Sequence, residues 1–179
     1  MLNQTSQSHL VVIDVQERLS GVMEQMALTK VVMNCAILLQ AAKLLDIPAL
    51  HTEQYPKGLG ATLPELSQYL GTAVEKTCFS CYDEPSFRAK LRGDRPQMVL
   101  AGMEAHICVL QTALQLQANG KQVFVVEDAV ISRSEDNRRN ALRRLRQAGV
   151  IVTNTESVVF EWLKMAEGDA FKQISKLVR

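Results

Sequence analysis

The sequence Leu100-Ala101-Gly102-Met103-Glu104-Ala105-His106-Ile107-Cys108-Val109-Leu110-Gln111-Thr112-Ala113 begins as an apolar strand, passes a glycine and continues as a helix that carries a cysteine in its first turn. A strand that leads directly into a helix is typical of parallel α/β sheets. Free thiols titrate near pKa ~8.5, and a helix N-terminus or a cationic neighbour lowers that value to roughly 3.5 to 7.5. We therefore expect Cys108 to have a route to the reactive thiolate at neutral pH.

Short strand-type runs alternate with longer helical patterns on both sides of this segment. We predict strands at residues 10–14, 48–53, 73–75, 97–101, 122–127 and 150–153. Apolar residues at helical spacing predict core-facing helices at 30–45 and 105–119, and two short terminal helices at 156–163 and 169–178. The pattern predicts a three-layer, Rossmann-like α/β fold, with a six-stranded parallel sheet and helices on both faces.

Local signals mark the ends of two helices. Gly120 and Gly149 each stand where a residue just after a helix must take a positive φ. Ser132-Arg133-Ser134-Glu135 has the residues of an N-cap and a capping box for a helix that runs to Ala148.

Length and composition indicate one globular domain over residues 1–179. A chain of 179 residues can bury a sizeable core without a disulfide or metal. With 47% hydrophobic and 22% charged residues and a net charge of +1, it gives no electrostatic reason to expect nucleic acid or an anionic membrane as partner. The basic run from Arg138 to Arg146 is more typical of a solvated or subunit-contacting face. A small-molecule partner remains open.

The compartment predicted from the sequence is the cytoplasm. The first residues lack a basic segment followed by an apolar run, so no secretory signal is indicated. Polar residues such as Asn34, Gln40 and Lys43 interrupt the longest apolar stretch before it reaches the ~20 residues of a membrane span. In such a compartment the four cysteines are expected to be reduced.

Three side chains that could activate a nucleophile follow predicted strands. Asp14 ends the first strand, Lys76 follows the third, and Cys108 follows the fourth. The carboxyl ends of parallel strands meet at one edge of a sheet, which is where ligands bind. Taken singly, Asp14 is equally typical of a turn and Lys76 of a solvated loop, but together the carboxylate, ammonium and thiol suit nucleophilic catalysis.

Five sequence blocks carry a family resemblance. They are V-V-I-D-V-Q at 11–16, T-E-Q-Y-P-K-G-L-G at 52–60, E-K-T-C-F-S at 75–80, A-G-M-E-A-H-I-C-V at 101–109 and E-D-A-V-I-S-R-S at 127–134. In this order, over residues 9–163, they resemble the isochorismatase-like cysteine hydrolases. Within that family the chain is similar to the small isochorismatase-domain proteins, which are related to nicotinamidases.

The resemblance implies a catalytic triad of Asp14, Lys76 and Cys108. It also implies a non-proline cis peptide between Met103 and Glu104, with the main-chain N–H groups of Glu104 and Cys108 as the oxyanion hole. The implied reaction is hydrolysis of an amide C–N bond, and the family is often oligomeric.

Four residues are candidates for the substrate pocket: Tyr55, Phe79, Gln16 and His106. Tyr55 and Phe79 are apolar or aromatic wall candidates, with loop packing as the alternative. Glu104 and His106 flank the cysteine and could contact substrate, solvent or a neighbouring subunit.

No metal or other cofactor is predicted. The resembled nicotinamidase branch binds a metal through an Asp-x-His pair, whereas this chain has His51-Thr52-Glu53-Gln54. One histidine in a strand is more often a packed residue than a ligand. Cys78 and Cys81 have the spacing of a redox or half-zinc site, but without a second ligand pair they are more typical of structural thiols. Cys35 is expected in the core.

Alternative functions remain open at this point. The chain could be a binding or scaffold protein that keeps the fold without turnover, a hydrolase of another C–N or C–O bond, or a redox protein that uses Cys78 and Cys81. The apolar cluster at 158–163 either closes the core or meets another subunit of a homo-oligomer.

Overall fold

A computed structural model gives the structure of the protein and describes residues 1–178. Six strands form one sheet: β1 Ser8–Ile13, β2 Ala49–Gln54, β3 Val74–Lys76, β4 Gln97–Met103, β5 Gln122–Ile131 and β6 Ile151–Thr153. The helices are α1 Glu17–Ser20, α2 Gln25–Leu44, α3 Pro56–Leu59, α4 Pro64–Ser67, α5 Pro85–Lys90, α6 Leu110–Ala118, α7 Glu135–Gln147, α8 Thr155–Leu163 and α9 Gly168–Leu177. A 3₁₀ turn occupies Cys81–Asp83, and a π-type turn, Ala105–Val109, precedes α6.

The sheet is entirely parallel, with strand order β3-β2-β1-β4-β5-β6. The chain builds outward from β1 to β3 and then returns to β4 on the other side of β1. The carboxyl ends of β1 and β4 therefore flank the point where the winding direction reverses, which is where open α/β sheets bind ligands. The predicted six-stranded α/β fold is confirmed.

Helices cover both faces of the sheet because residues alternate between faces along each strand. In β1, Leu10 and Val12 pack with α2, α4, α8 and α9, whereas Val11 and Ile13 pack with α5, α6 and α7. The chain thus has two apolar cores, one on each side of a central sheet.

The element bounds differ slightly from those predicted. Helix α2 begins at Gln25, five residues earlier than predicted, because the Glu24 carboxylate accepts hydrogen bonds from the main-chain N–H groups of Met26 and Ala27. Strand β5 runs on to Ile131 through an irregularity. Between two paired positions β4 advances from Leu100 to Gly102 while β5 advances from Val125 to Val130.

Glycine is required where β4 lies against the end of its parallel neighbour β1. Gly102 has φ 116°, and a Cβ built there would lie 2.1 Å from the main-chain oxygen of Ile13. Only a residue without a side chain permits this approach. The positive φ predicted at Gly120 and Gly149 is confirmed, at 79° and 84°.

The predicted capping box at the start of α7 is wrong. Ser134 occupies the N-cap position, but its side chain makes no capping hydrogen bond. The Ser132 hydroxyl lies 2.9 Å from His106 Nδ1 instead. A contact distant in sequence has replaced the local one.

The apolar cluster near the carboxyl terminus closes the core. Val158, Val159 and Trp162 of α8 are buried, and Trp162 Nε1 donates a 2.9 Å hydrogen bond to Ser8 Oγ. Phe160 faces outward.

Helix α2 is longer and more apolar than the sequence analysis expected. By length and composition alone, Gln25–Leu44 would suffice to cross a membrane. One face of α2, which includes Leu28, Val31 and Leu38, is buried in the core, as in the central helix of many soluble proteins.

Candidate active site

A buried ion pair lies at the carboxyl edge of the sheet. Asp14 is the first residue after β1 and Lys76 the last residue of β3, and Lys76 Nζ lies 2.7 Å from Asp14 Oδ2. Both side chains are completely buried. Because β2 separates the two strands, Lys76 reaches across the end of β2 to meet the carboxylate.

The Lys76 ammonium is surrounded by oxygen acceptors. Besides Asp14, Nζ donates to Gln54 Oε1 at 2.7 Å and to the main-chain oxygens of Phe79 and Cys78 at 3.1 and 3.3 Å. Burial is the largest single influence and works to lower the pKa of Lys76, but the charge and hydrogen bond of Asp14, together with Cys81 and Cys108, outweigh it, so the pKa is raised. Lys76 is therefore a fixed positive charge.

The second Asp14 oxygen is held by Thr52, a residue that the sequence analysis missed. Thr52 Oγ1 donates a 2.6 Å hydrogen bond to Asp14 Oδ1, and Cys81 Sγ lies 3.7 Å from the same hydroxyl. Thr52 and Gln54 both belong to β2 and are two residues apart, so their side chains point to one face. The alternation of side chains along Thr52-Glu53-Gln54 could therefore have indicated that Thr52 lies beside Asp14.

Cys108 lies in the π-type turn before α6 and is only 5% exposed. Burial first, and then the negative charge of Asp14, raise the pKa of its thiol well above the usual range, although Lys76 opposes this. Burial and the Asp14 charge therefore oppose the lowering of the thiol pKa that we expected from the helix terminus. Asp14 is thus the carboxylate whose charge acts most strongly on this thiol.

The peptide bond between Met103 and Glu104 is cis, where the resemblance places one. The Glu104 side chain is buried and turns toward the loop after β5. Its Oε2 accepts a 2.9 Å hydrogen bond from the Arg133 main-chain N–H, and its Oε1 lies 3.5 Å from Arg133 Nε. Glu104 thus ties the start of the cysteine turn to the neighbouring loop.

His106 makes a second contact between the cysteine turn and the region after β5. Its Nδ1 lies 2.9 Å from Ser132 Oγ, and its Nε2 lies 3.4 Å from the Asn137 side-chain amide. Both ring nitrogens therefore have protein neighbours. The geometry supports a role in positioning the turn, and contact of His106 with substrate stays a prediction.

Gln16 supports a loop instead of presenting its amide to a pocket. Its Nε2 donates to the main-chain oxygens of Gln54 and Gly60 at 3.0 and 2.7 Å, and its Oε1 accepts from the Gln54 N–H at 2.7 Å. The side chain is buried. With both amide protons and the oxygen engaged, the structure gives no support to the predicted substrate contact of Gln16.

Tyr55 and Phe79 are both 55% exposed and flank the lysine. The Tyr55 N–H donates to the Lys76 main-chain oxygen at 2.9 Å, whereas the Phe79 oxygen accepts from Lys76 Nζ. Tyr55 also lines a cavity of about 340 Å³ with Lys76 and Thr77. These aromatic rings are available to a ligand that approaches the ion pair.

The other candidate residues, Cys78, Cys81, His51 and Glu53, have the surroundings of residues that support the fold. The structure shows no disulfide at Cys78 or Cys81, and burial raises the pKa of Cys81 to about 12. Glu53 Oε1 accepts from the Thr62 N–H and hydroxyl at 2.7 and 2.8 Å, and burial lowers the pKa of His51. Among residues 1–178, no group of three or more His, Cys, Asp or Glu side chains could hold a metal ion.

Fold and site together define a class: a parallel α/β protein with a thiol, a carboxylate and an ammonium gathered at the point where the winding of the sheet reverses. The chain belongs to the isochorismatase family, since the isochorismatase domain model matches residues 8–157. Members of this family are generally hydrolases.

Curated relatives agree with the family assignment. Isochorismatase domain-containing protein 2 of Danio rerio is 44% identical over 176 residues, which cover 97% of this chain and 88% of the relative.

Solved structures show the same fold. MAR1 ribonuclease of Caenorhabditis elegans has a TM-score of 0.92 and 35% sequence identity, and the superposition covers 99% of this chain and 92% of the ribonuclease chain. The YcaC gene product of Escherichia coli, described as an octameric hydrolase of unknown specificity, has a TM-score of 0.90 at 23% identity. The superposition covers 99% of this chain and 90% of the YcaC chain.

Proposed function

We propose that the protein cleaves the C–N bond of a small amide through a covalent intermediate on Cys108. Asp14, Lys76 and Cys108 form the catalytic triad. The observation that carries this proposal is the completely buried 2.7 Å ion pair of Asp14 and Lys76 beside a thiol. After burial itself, the charge of that carboxylate is the main influence that raises the pKa of the thiol, as expected for an acid-base partner at close range.

Acylation begins when an amide carbonyl carbon reaches Cys108. Asp14 takes the thiol proton, and a C–S bond forms while the carbonyl electron pair moves to oxygen. The main-chain N–H groups of Glu104 and Cys108 stabilise that oxyanion. The C–N bond then breaks, and the amine leaves with the proton that Asp14 returns.

Deacylation uses water and the same groups. Asp14 takes a proton from water, the hydroxide attacks the thioester carbon, and the carboxylic acid departs as Cys108 recovers its proton. Lys76 stays protonated and stabilises Asp14 whenever the carboxylate is ionised. Every step uses only the chain's own residues, substrate and water.

Selective alkylation tests the nucleophile. We expect iodoacetamide near pH 7 to modify Cys108 faster than Cys35 or Cys81, because Cys108 has a carboxylate partner and is 5% exposed, whereas Cys35 and Cys81 are completely buried. Asp14→Asn should slow that reaction, whereas Cys78→Ser, a change at a half-exposed thiol, should leave it unchanged. Equal reactivity of Cys108, Cys35 and Cys81 would refute the proposal.

Three alternatives give different results. A hydrolase of another C–N or C–O bond forms the same Cys108 adduct from a different compound in a substrate panel. A scaffold protein forms no adduct. A redox protein loses activity when Cys78 and Cys81 are replaced but retains it in Cys108→Ala.

RNA cleavage is a second candidate function, favoured by the similarity to the ribonuclease of Caenorhabditis elegans. A net charge of +1 supplies little electrostatic attraction for a polyanion, so we favour a small molecule. Incubation of single-stranded RNA with the wild type and with Cys108→Ala separates the two. Cleavage by the wild type would favour the ribonuclease, and its absence the amide hydrolase.

We also propose that the protein is a cytoplasmic homo-oligomer. The octameric structural neighbour supports self-association, and exposed Met26 and Met33 on α2 are candidates for the contact surface. The free thiols at Cys35, Cys78, Cys81 and Cys108 fit a reducing compartment. Light scattering of the purified chain tests the assembly state.

A further inference from the structure

A second cavity, of about 450 Å³, lies between α2 and β5. Ala27 and Val31 of α2 face Val130 and Ile131 of β5 across it, and neither Asp14, Lys76 nor Cys108 lines it. Its volume and apolar walls are those of a site for a small organic molecule.

The irregularity in β5 shapes this cavity, and side chains hold it in place. Asn34 Nδ2 of α2 donates a 2.7 Å hydrogen bond to the Asp128 main-chain oxygen. From the other side, Arg138 Nε of α7 donates to the Val130 oxygen at 3.0 Å, and Arg138 also bonds the Glu127 oxygen. Bulges of this kind are common next to functional sites, where they redirect side chains.

The charged groups that line the cavity differ in whether other residues of the chain pair with them. Each lining carboxylate has a partner: Glu24 caps α2, Glu127 pairs with Arg146, Glu135 pairs with Arg138, and Asp128 accepts from Thr155. Two lining cations keep free donors. Within residues 1–178, Lys30 makes no side-chain hydrogen bond or ion pair, and the Arg133 guanidinium, 60% exposed, pairs with Glu104 at 3.5 Å and donates no side-chain hydrogen bond.

We propose that this cavity binds a small carboxylate with an apolar body. The carboxylate pairs with Lys30 and Arg133, and the apolar body lies between α2 and β5. The Arg133 guanidinium is 60% exposed, and a guanidinium binds a carboxylate through paired N–H groups. An uncharged ligand would leave the free donors of Lys30 and Arg133 unused.

The cavity is connected to the cysteine turn. Arg133 contacts Glu104, and its neighbour Ser132 contacts His106, so the loop that lines the cavity also holds the turn that carries Cys108. A ligand on Arg133 should therefore shift the main-chain NMR signals of Glu104 and His106. The binding proposal itself does not rest on the proposed hydrolase activity.

Isothermal titration of the full chain with hexanoate tests the site. Acetate lacks the apolar body and 1-hexanol lacks the charge, so we expect each to bind at least about tenfold more weakly than hexanoate. The double variant Lys30→Gln/Arg133→Gln should weaken hexanoate binding about tenfold or more. The control double variant Lys43→Gln/Arg143→Gln, with one change on α2 and one on α7, both outside the cavity, should retain the wild-type Kd. NMR should place the shifted methyl signals at Val31 and Ile131.

Several results would overturn the proposal: no saturable hexanoate binding, equal binding of 1-hexanol, or an unchanged Kd in Lys30→Gln/Arg133→Gln. Methyl shifts around the triad instead of at Val31 and Ile131 would assign hexanoate to the other site. If light scattering shows an oligomer and hexanoate does not bind, a second copy covers the cavity and the proposal also fails.

Discussion

Lys76 Nζ lies 2.7 Å from Asp14 Oδ2 in a site that excludes solvent from both side chains. Thr52 occupies the other carboxylate oxygen at 2.6 Å. Asp14 is thus fixed from two sides, by a charge and by a hydroxyl. In the proposed mechanism the carboxylate must also accept the Cys108 proton, through a lone pair that Lys76 and Thr52 do not occupy.

Lys76→Met should destabilise the fold by about 3 to 5 kcal/mol, because it leaves the buried Asp14 charge without its partner. Urea denaturation measures this. The double variant Asp14→Asn/Lys76→Met removes both charges and should recover part of the loss. A single-variant cost below about 1 kcal/mol would mean that the pair is not buried as described.

Thr52→Val should cost about 1.5 to 3 kcal/mol in the free energy of unfolding, because it removes a hydrogen bond to a buried carboxylate while nearly preserving side-chain volume. Thr52→Ser keeps the hydroxyl and should cost much less. Thermal unfolding of both variants compares them. If Thr52→Ser proves as unstable as Thr52→Val, the methyl group matters and the hydroxyl does not.

The burial of His9 leads us to predict that the folded protein loses stability in mild acid. Its ring is buried in β1, and neither ring nitrogen has a hydrogen-bond partner in the described residues. Burial first, and then the nearby charge of Arg95, lower its pKa from 6.5 to about 4. The unfolded chain therefore binds a proton below about pH 6.5, whereas the folded chain binds it only near pH 4.

The contribution of His9 is thus fully present above pH 6.5 and is lost as the pH falls to about 4, by up to about 3 kcal/mol. Denaturation measured across this range should show the slope, and His9→Phe should flatten it. An identical slope in wild type and His9→Phe would assign the acid sensitivity to other groups.

Gly102→Ala should prevent folding or cost more than about 4 kcal/mol. The added Cβ would meet the Ile13 oxygen at 2.1 Å, at a φ of 116° that other residues rarely adopt. Gly71→Ala, with no atom within 4 Å of the new Cβ, is the matched control. Soluble expression and thermal unfolding compare them, and a stable Gly102→Ala would contradict the close approach of Gly102 in β4 to Ile13 in β1.

Much of the fold could be predicted because its signals are local. Alternating strand and helix patterns gave the six parallel strands, and positive-φ glycines marked helix ends at Gly120 and Gly149. Parallel strands also deliver the residues after their carboxyl ends to one edge, so the order of the strands predicts that Asp14 and Lys76 lie at the same edge.

What could not be predicted depends on contacts distant in sequence. Ser132 carries a capping signal, yet its hydroxyl meets His106, 26 residues away. Burial and the charge of Asp14 raise the pKa of Cys108, which is opposite to the effect expected from a helix start. Likewise, Gln16 is engaged by main-chain groups of Gln54 and Gly60, a use that its position after Asp14 does not indicate.

The most direct test of the central claim is intact-protein and peptide mass spectrometry after incubation with a panel of small amides and carbamoyl compounds. We predict an acyl adduct on Cys108 with at least one compound, hydrolysis of that compound by the wild type, and neither in Cys108→Ala. Hydrolysis that persists in Cys108→Ala, or an adduct on Cys78 or Cys81 in place of Cys108, would contradict the account.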